Sequence, residues 1–305
     1  IITDSAQPAG IVVDDIRHAR NFKQYLLTFY PDIEHRVLVF PDWETLAYDP
    51  ISADKAISSE RLQTLYKLRQ LKDPIIIVTV QALISYIIPT DFIDKNILLI
   101  QVGDNMTPNK FRETMLAKGY TETREIQQVG DFAIRGAILD VFTYKANHAY
   151  RCELFDDEID SIRHLDVSTQ LSSKNINSIH ILPSQEYLPN SVSKNTLTER
   201  ISSQFTTIQI EHPNIQCLLN NRSFAGMEYY LPLLHTHMQP LWEYLQKPSL
   251  WCLNHNWHDE CSKKIMQFTA RYELQSKRSY SLLKPEQLHI HIDELKNYFN
   301  KQNCI

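Results

Sequence analysis

The first hundred residues alternate between short apolar runs and stretches with helical spacing. The apolar runs are typical of buried β-strands and cover residues 10–13, 37–40, 75–80 and 97–102. Apolar residues recur every three or four positions over 16–30 and 60–71, which predicts helices, and 81–88 is a further short helix ended by Pro89. Strands and helices in this order predict a parallel α/β sheet with right-handed connections.

In the middle of the chain, apolar residues recur at every second position instead of every three or four. Two β-like runs, 132–142 and 149–155, are joined by a polar loop, and a third run, 159–165, follows an acidic turn. These connections are too short for a parallel crossover, so the runs are predicted to form an antiparallel meander.

The second run of this meander has two chemically different faces, because strand residues of equal parity point to the same side. Its even-numbered positions from 150 to 154 are apolar, whereas the other face carries Arg151, Glu153 and Phe155. Arg151 and Phe155 are roughly 13 Å apart along the strand, and Arg135 interrupts the apolar sequence of the first run. Arginines beside a large aromatic are enriched at interface hot spots. A solvated face with one exposed phenylalanine is the alternative.

The remaining predicted elements flank the meander. A helix over 108–118, ended by Gly119, precedes it, and the polar segment 184–196 forms a linker behind it. Beyond the linker we predict helices at 197–205 and 259–274, short helices across 227–245, and strands at 207–210, 249–253 and 288–292. This alternation is expected to complete the first sheet, with the meander as an insertion.

Composition is that of an ordinary globular chain: 305 residues, 43% hydrophobic, 22% charged and a formal net charge of −5. The negative charge argues against a dominant phosphate-binding surface. The chain has only 6 glycines and neither GxxxxGK[ST] nor GxGxxG, which excludes nucleotide binding by those motifs. The 5 cysteines form no CxxC pair and suit a reducing cytosol, and no signal peptide or membrane-length apolar run is visible.

The sequence CLNHNWHDEC contains zinc-ligand residue types, at Cys252, His255, His258 and Cys261. A zinc site is not favoured, because three-residue intervals spread these positions around half of a helix. Two H-x-H pairs are interpreted as ordinary surface or packing residues, His235 with His237 and His289 with His291.

A run of acidic residues follows the second meander strand: Asp156, Asp157, Glu158 and Asp160. An acid/base or metal site is one interpretation, but an acidic turn between strands explains them more simply. Trp43 and Tyr48 lie in a loop whose charged residues are acidic, so packing is favoured over stacking with nucleic acid.

Several blocks together resemble one known family: FPDWETLAYDPIS, SSERLQTLYKL, VGDFAIRGAILDVF, YRCELFDDEIDSIRHLDVSTQ, ILPSQEY and AGMEYYLPLL. In this order, and over most of the chain, they resemble the N-terminal module of the bacterial transcription-repair coupling factors (Mfd). The module also resembles the excision-repair protein UvrB, whose strands carry related RG…D-F and R-x-E-x-F blocks.

The resemblance implies a helicase-like α/β domain that has lost its nucleotide site, built from residues 1–98 and 189–305. Residues 99–188 would be an inserted domain that binds the damage sensor UvrA, and deleting them is expected to leave a soluble α/β domain. By motif position the UvrA contacts fall on Arg135, Arg151 and Phe155, the residues that strand parity also selects. Because these side chains are expected to be exposed, alanine at Arg151 or Phe155 is expected to leave the fold intact.

The resemblance also implies what this chain lacks. No Walker lysine is present, and residues 42–59 leave no room for the hairpin with which UvrB clamps DNA. The motor, with its ATP and Mg, and the RNA-polymerase-binding domain would lie beyond Ile305, so this chain should be a cytoplasmic recruitment module without cofactor or catalytic residues. A UvrB-like damaged-DNA-binding helicase fragment and a small-molecule α/β enzyme are the alternative hypotheses.

Overall fold

The computed structural model describes residues 7–143, 149–188, 191–245, 249–277 and 281–304. The chain divides into two compact units. Unit 1 consists of Ile1–Ala53, Thr64–Thr90 and Asn190–Ile305, and unit 2 of Asp54–Gln63 and Asp91–Pro189. That the outer segments fold together without the middle one stays a prediction.

The strands, in chain order, are β1 (Ala9–Val13), β2 (Val37–Phe40), β3 (Ile75–Thr79), β4 (Leu98–Gln101), β5 (Thr121–Glu122), β6 (Asp131–Arg135), β7 (Ile138–Val141), β8 (Ala149–Phe155), β9 (Glu158–Leu165), β10 (Ser172–Ile176), β11 (Ser178–Ile181), β12 (Leu250–Cys252) and β13 (Asn303–Cys304). The α-helices are α1 (Ile16–Phe29), α2 (Lys55–Gln70), α3 (Val80–Ile84), α4 (Thr90–Asn96), α5 (Pro108–Ala117), α6 (Lys194–Gln204), α7 (Thr207–Ile210), α8 (Pro213–Leu219), α9 (Leu231–Leu234), α10 (Trp257–Ser276), α11 (Pro285–Leu288) and α12 (Ile292–Phe299). Short 3₁₀ helices cover Pro31–Arg36, Met227–Tyr230 and Leu241–Tyr244.

Unit 1 contains the predicted parallel sheet, with strand order β13-β12-β1-β3-β2. Every residue of β3 is buried, as its unbroken β-branched sequence predicts for an interior strand. Strands β12 and β13 come from the last third of the chain, so both ends of the chain build this sheet. Glycine is required at Gly10, because a Cβ there would lie 2.3 Å from the buried Trp251 ring on β12.

Unit 2 contains a sheet of mixed direction with strand order β10-β9-β8-β7-β6-β5. The pairs from β6 to β10 are antiparallel, which confirms the meander, and β5 joins β6 in parallel. The run predicted over 132–142 is a hairpin rather than one strand, and it turns at Gly136, whose φ is +62°. One side of the sheet packs into the core of the unit, together with Phe111 and Met115 of α5.

Three predicted strands are assigned differently by the structure. Residues 97–102 were expected in the parallel sheet, but β4 pairs antiparallel with β11 in unit 2. Residues 207–210 are helix α7, because Thr206 and Gln209 form a reciprocal capping box that outweighs local β propensity. Residues 288–292 hold the end of α11 and the start of α12, where the His291 ring accepts from the Asp293 amide.

A buried ion pair lies inside unit 2. Arg61 of α2 donates through Nε to the carboxylate of Glu186, and both side chains are buried. Helix α2 contributes residues up to Gln63 to this unit and its remainder to unit 1. The pair therefore joins two segments of unit 2 that lie 125 positions apart in sequence.

Candidate protein-interaction face

The register of β6, β7 and β8 brings the predicted site residues to one side of the unit 2 sheet. Asp140 of β7 is opposite Arg151 of β8, and Arg135 of β6 is opposite Ile138 of β7. Directly opposed residues in an antiparallel pair point to the same side. We call Arg135, Asp140, Arg151, Glu153 and Phe155 together the arginine–phenylalanine face. The even-numbered residues of β8 point to the core and are buried, as parity predicted.

A single carboxylate organises this face. Arg151 donates to Asp140 through Nε at 2.8 Å and through Nη2 at 2.9 Å, and Arg135 donates through Nη2 at 2.5 Å. The Asp140 side chain is only 1% exposed. Two guanidinium groups on one carboxylate leave one positive charge in excess. Asp140 is not among the residues that strand parity selects, although a carboxylate inside the apolar run ILDVF is a signal for it.

The two arginines differ in how they face solvent. The Arg151 side chain is 12% exposed, and its Nη1 donates to the carbonyl oxygen of Gln170 at 3.4 Å. Its hydrogen bonds to Asp140 raise the pKa of Arg151 above the ordinary arginine value, although burial opposes this. The Arg135 side chain is 40% exposed. The expectation that Arg151 is exposed is therefore wrong. Because the guanidinium neutralises a buried carboxylate, we now predict that its removal destabilises the fold.

Phe155 ends β8 and is 73% exposed. The hairpin to β9 turns through Asp156, whose φ of +52° lies in the left-handed region. Asp156 and Asp157 are exposed in this turn, which is the role that the sequence favoured. Glu158 and Asp160 are exposed on β9 instead. Between Phe155 and Arg151, Glu153 accepts hydrogen bonds from Arg163 at 3.1 Å and from Ser161 at 3.4 Å.

A small apolar cluster closes the opposite end of the face. It consists of Ile126, Ala133, Ala149 and Leu165. Ala133 is the register partner of Asp140, so the cluster lies on the same side of the sheet. Apolar packing on one side and two guanidinium groups on the other explain why the Asp140 carboxylate is shielded from water.

Of the other candidate residues, Cys261, His289 and Trp43 have packing roles, whereas His237, His255 and His291 are exposed. In the described parts of the chain, no group of three or more His, Cys, Asp or Glu residues is arranged to hold a metal ion. Burial raises the pKa of the Cys261 thiol to about 12, which keeps it protonated. The buried His289 ring stacks on Phe268 at 3.9 Å, and Trp43 packs edge-on against Tyr229 at 5.7 Å. None of the helices in the described segments is long and apolar enough to span a membrane.

Comparison with known proteins supports the motif-based resemblance. Residues 98–187, which include the whole arginine–phenylalanine face, match the family model of the UvrB interaction domain. The transcription-repair-coupling factor of Haemophilus influenzae is 33% identical over 268 residues, covering 86% of this chain and 23% of the relative. The one of Escherichia coli is 27% identical over 292 residues, covering 95% of this chain and 25% of the relative. The chain thus spans about a quarter of the length of these curated relatives.

Proposed function

We propose that the arginine–phenylalanine face of this chain binds UvrA. The premise is that the chain is related to the N-terminal region of the transcription-repair-coupling factors and carries a UvrB interaction domain at residues 98–187. The observation that carries the proposal is the position of Phe155 and Arg135. Both are exposed on the same side of the sheet as a buried carboxylate that holds the arginine.

The chemistry of the face defines the partner surface that it fits. The exposed Phe155 ring needs an apolar pocket, where burial supplies affinity. The exposed guanidinium of Arg135 needs an acidic side chain, to which it can donate two parallel hydrogen bonds. The proposed contact surface on UvrA is therefore an apolar pocket bordered by carboxylates.

In the longer protein this binding would recruit nucleotide excision repair to a stalled RNA polymerase. We assign the helicase-like architecture to the two segments of unit 1, and the ATP- and Mg-dependent motor, the RNA polymerase contact and the DNA contact to parts outside this chain. This chain itself would act as a recruitment module rather than as an enzyme. The parallel sheet of unit 1 and the absence of a phosphate-loop motif support this assignment.

The test measures binding of the purified chain to UvrA by titration calorimetry, with Arg135→Ala as the variant. Arg112→Ala is the matched control, because Arg112 lies in the same unit, is 38% exposed and pairs with Glu122 at 3.0 Å. Arg135→Ala is expected to weaken UvrA binding by about 30-fold, whereas Arg112→Ala should leave it unchanged.

Two further titrations separate the alternative functions. The same chain is mixed with damaged duplex DNA over a range of salt concentrations and, separately, with ATP. Salt-sensitive binding to DNA without any UvrA complex would favour the UvrB-like alternative, and ATP turnover would favour an enzyme. Equal UvrA affinities for wild type and Arg135→Ala would overturn the proposed face.

A further inference from the structure

The Asp140 carboxylate is shielded from water, because its side chain is only 1% exposed. Burying a carboxylate is unfavourable unless charge and hydrogen bonds compensate for the lost water. Here Arg151 contributes two hydrogen bonds and Arg135 one. Both arginines reach the same atom, Oδ2, at 2.5 and 2.9 Å. Asp140 is thus the reason that two like charges can lie side by side on this sheet.

The contacts assign different tasks to the two arginines. Arg151 donates from Nε, Nη1 and Nη2 to groups of its own unit, and the acceptor of Nη1 is a fixed backbone carbonyl. That carbonyl belongs to Gln170, whose φ is +58° and whose amide donates to the Val167 carbonyl at 2.8 Å. In the described contacts, Arg135 donates to a side chain only through Nη2. Arg135 therefore has donors left to offer a partner, and Arg151 completes the support beneath it.

We propose that Asp140 is a positioning residue for UvrA binding: it touches no partner and instead orients Arg135 outward while Arg151 holds the carboxylate in place. This inference rests on the proposed function and adds a residue to it. A flexible arginine loses side-chain conformational entropy when it binds. The hydrogen bond to Asp140 restricts Arg135 before the partner arrives, so part of that loss is already met in the free chain.

The test variant is Asp140→Asn, which keeps the side-chain volume and removes the charge. We expect UvrA affinity to fall by about tenfold, a coupling typical of residues within one hydrogen-bonded network. The same substitution in an Arg135→Ala/Arg151→Ala background is expected to cause no further loss, because Asp140 acts through those arginines. Wild-type affinity for Asp140→Asn, or an equal loss in both backgrounds, would overturn the inference.

A second pair of variants covers the case in which Asp140→Asn alone does not fold. Arg151→Met is compared with Asp140→Asn/Arg151→Met, since the double variant removes a whole buried ion pair instead of half of it. The double variant should bind UvrA more weakly than Arg151→Met alone, because the acceptor of Arg135 has lost its negative charge. Equal affinities for these two variants would refute a positioning role.

A spectroscopic measurement on the wild-type chain tests the geometry without any substitution. The Nε–H group of Arg151 is hydrogen-bonded to Asp140 and should exchange slowly with water in ¹⁵N-resolved spectra. The Nε–H group of Arg135 should exchange faster, because Arg135 contacts Asp140 through Nη2. Fast exchange at Arg151 would contradict the arrangement itself. If Arg135→Ala and Phe155→Ala leave UvrA binding unchanged, the proposed function fails, whereas wild-type binding by Asp140→Asn alone removes only the positioning role.

Discussion

Truncating Phe155 to alanine perturbs the arginine–phenylalanine face with little effect expected on the fold, because the ring is 73% exposed in the free chain. A phenylalanine side chain buries about 200 Å² when it is fully covered. A partner pocket that covers the exposed part would remove about 150 Å² from water, which contributes at most about 4 kcal/mol. Truncations at hot spots typically cost about 2 kcal/mol or more. The expected loss of UvrA affinity for Phe155→Ala is therefore between about 30-fold and about 800-fold.

The assay compares dissociation constants for UvrA with melting temperatures across three variants. Phe29→Ala is the matched control, because Phe29 is 77% exposed but lies on α1 of unit 1. It should leave UvrA binding unchanged. Tyr150→Ala is the opposite control, because Tyr150 is buried one position from Arg151 and its truncation should lower the melting temperature.

Two results would refute this reasoning about Phe155. If Phe155→Ala keeps both its melting temperature and its affinity for UvrA to within about threefold, then the ring is not an anchor. If Phe155→Ala lowers the melting temperature as much as Tyr150→Ala while the folded fraction binds normally, the ring has a structural role and the face assignment is inverted.

Two further predictions concern stability. Arg151→Ala should lower the free energy of unfolding by about 3 kcal/mol, because the buried Asp140 loses its bidentate partner. Arg135→Ala should lower the free energy of unfolding less. Equal melting temperatures for the two variants would contradict this prediction. Burial lowers the pKa of His289 from 6.5 to about 3, so the unfolded chain binds more protons between these values and stability should fall as pH drops below about 6.5. Urea unfolding at pH 7.5 and pH 5 measures this loss, and His289→Phe, which keeps a ring against Phe268, should reduce it; an unchanged pH dependence in the variant would assign the loss to other groups.

Local sequence patterns were sufficient to predict strands and the side to which their residues point where one face of the strand is buried. The alternation in β8 placed Arg151 and Phe155 on one side of the strand, because a strand has a period of two and Cys152 must point to the core. The strand β3 was also predicted correctly, because an unbroken β-branched run is typical of a strand buried on both faces. Both predictions depend only on neighbouring residues and on which side meets water.

Pairings between distant segments could not be read in this way. The role of Asp140 could not be predicted from the sequence, because it depends on the register between β7 and β8, which no local pattern specifies. The direction in which β4 pairs was missed for the same reason, since an apolar run is compatible with either sheet type. The exposure of Arg151 was misjudged because parity assigns a side of the sheet and carries no information about what covers that side.

The ion pair between Arg61 and Glu186 limits how unit 2 could be moved from one gene to another. The matched region, residues 98–187, contains Glu186 but not Arg61. A continuous segment transferred with those boundaries would bury a carboxylate without its guanidinium, a loss of about 3 kcal/mol or more. Excising 99–188 would likewise remove the partner of Arg61. The chain that remains would therefore need a substitution at Arg61 to be soluble, as the sequence predicts for it. A transferable version has to carry Asp54–Gln63 as well, because recombination at a single pair of breakpoints around the meander would separate the two segments of one compact unit.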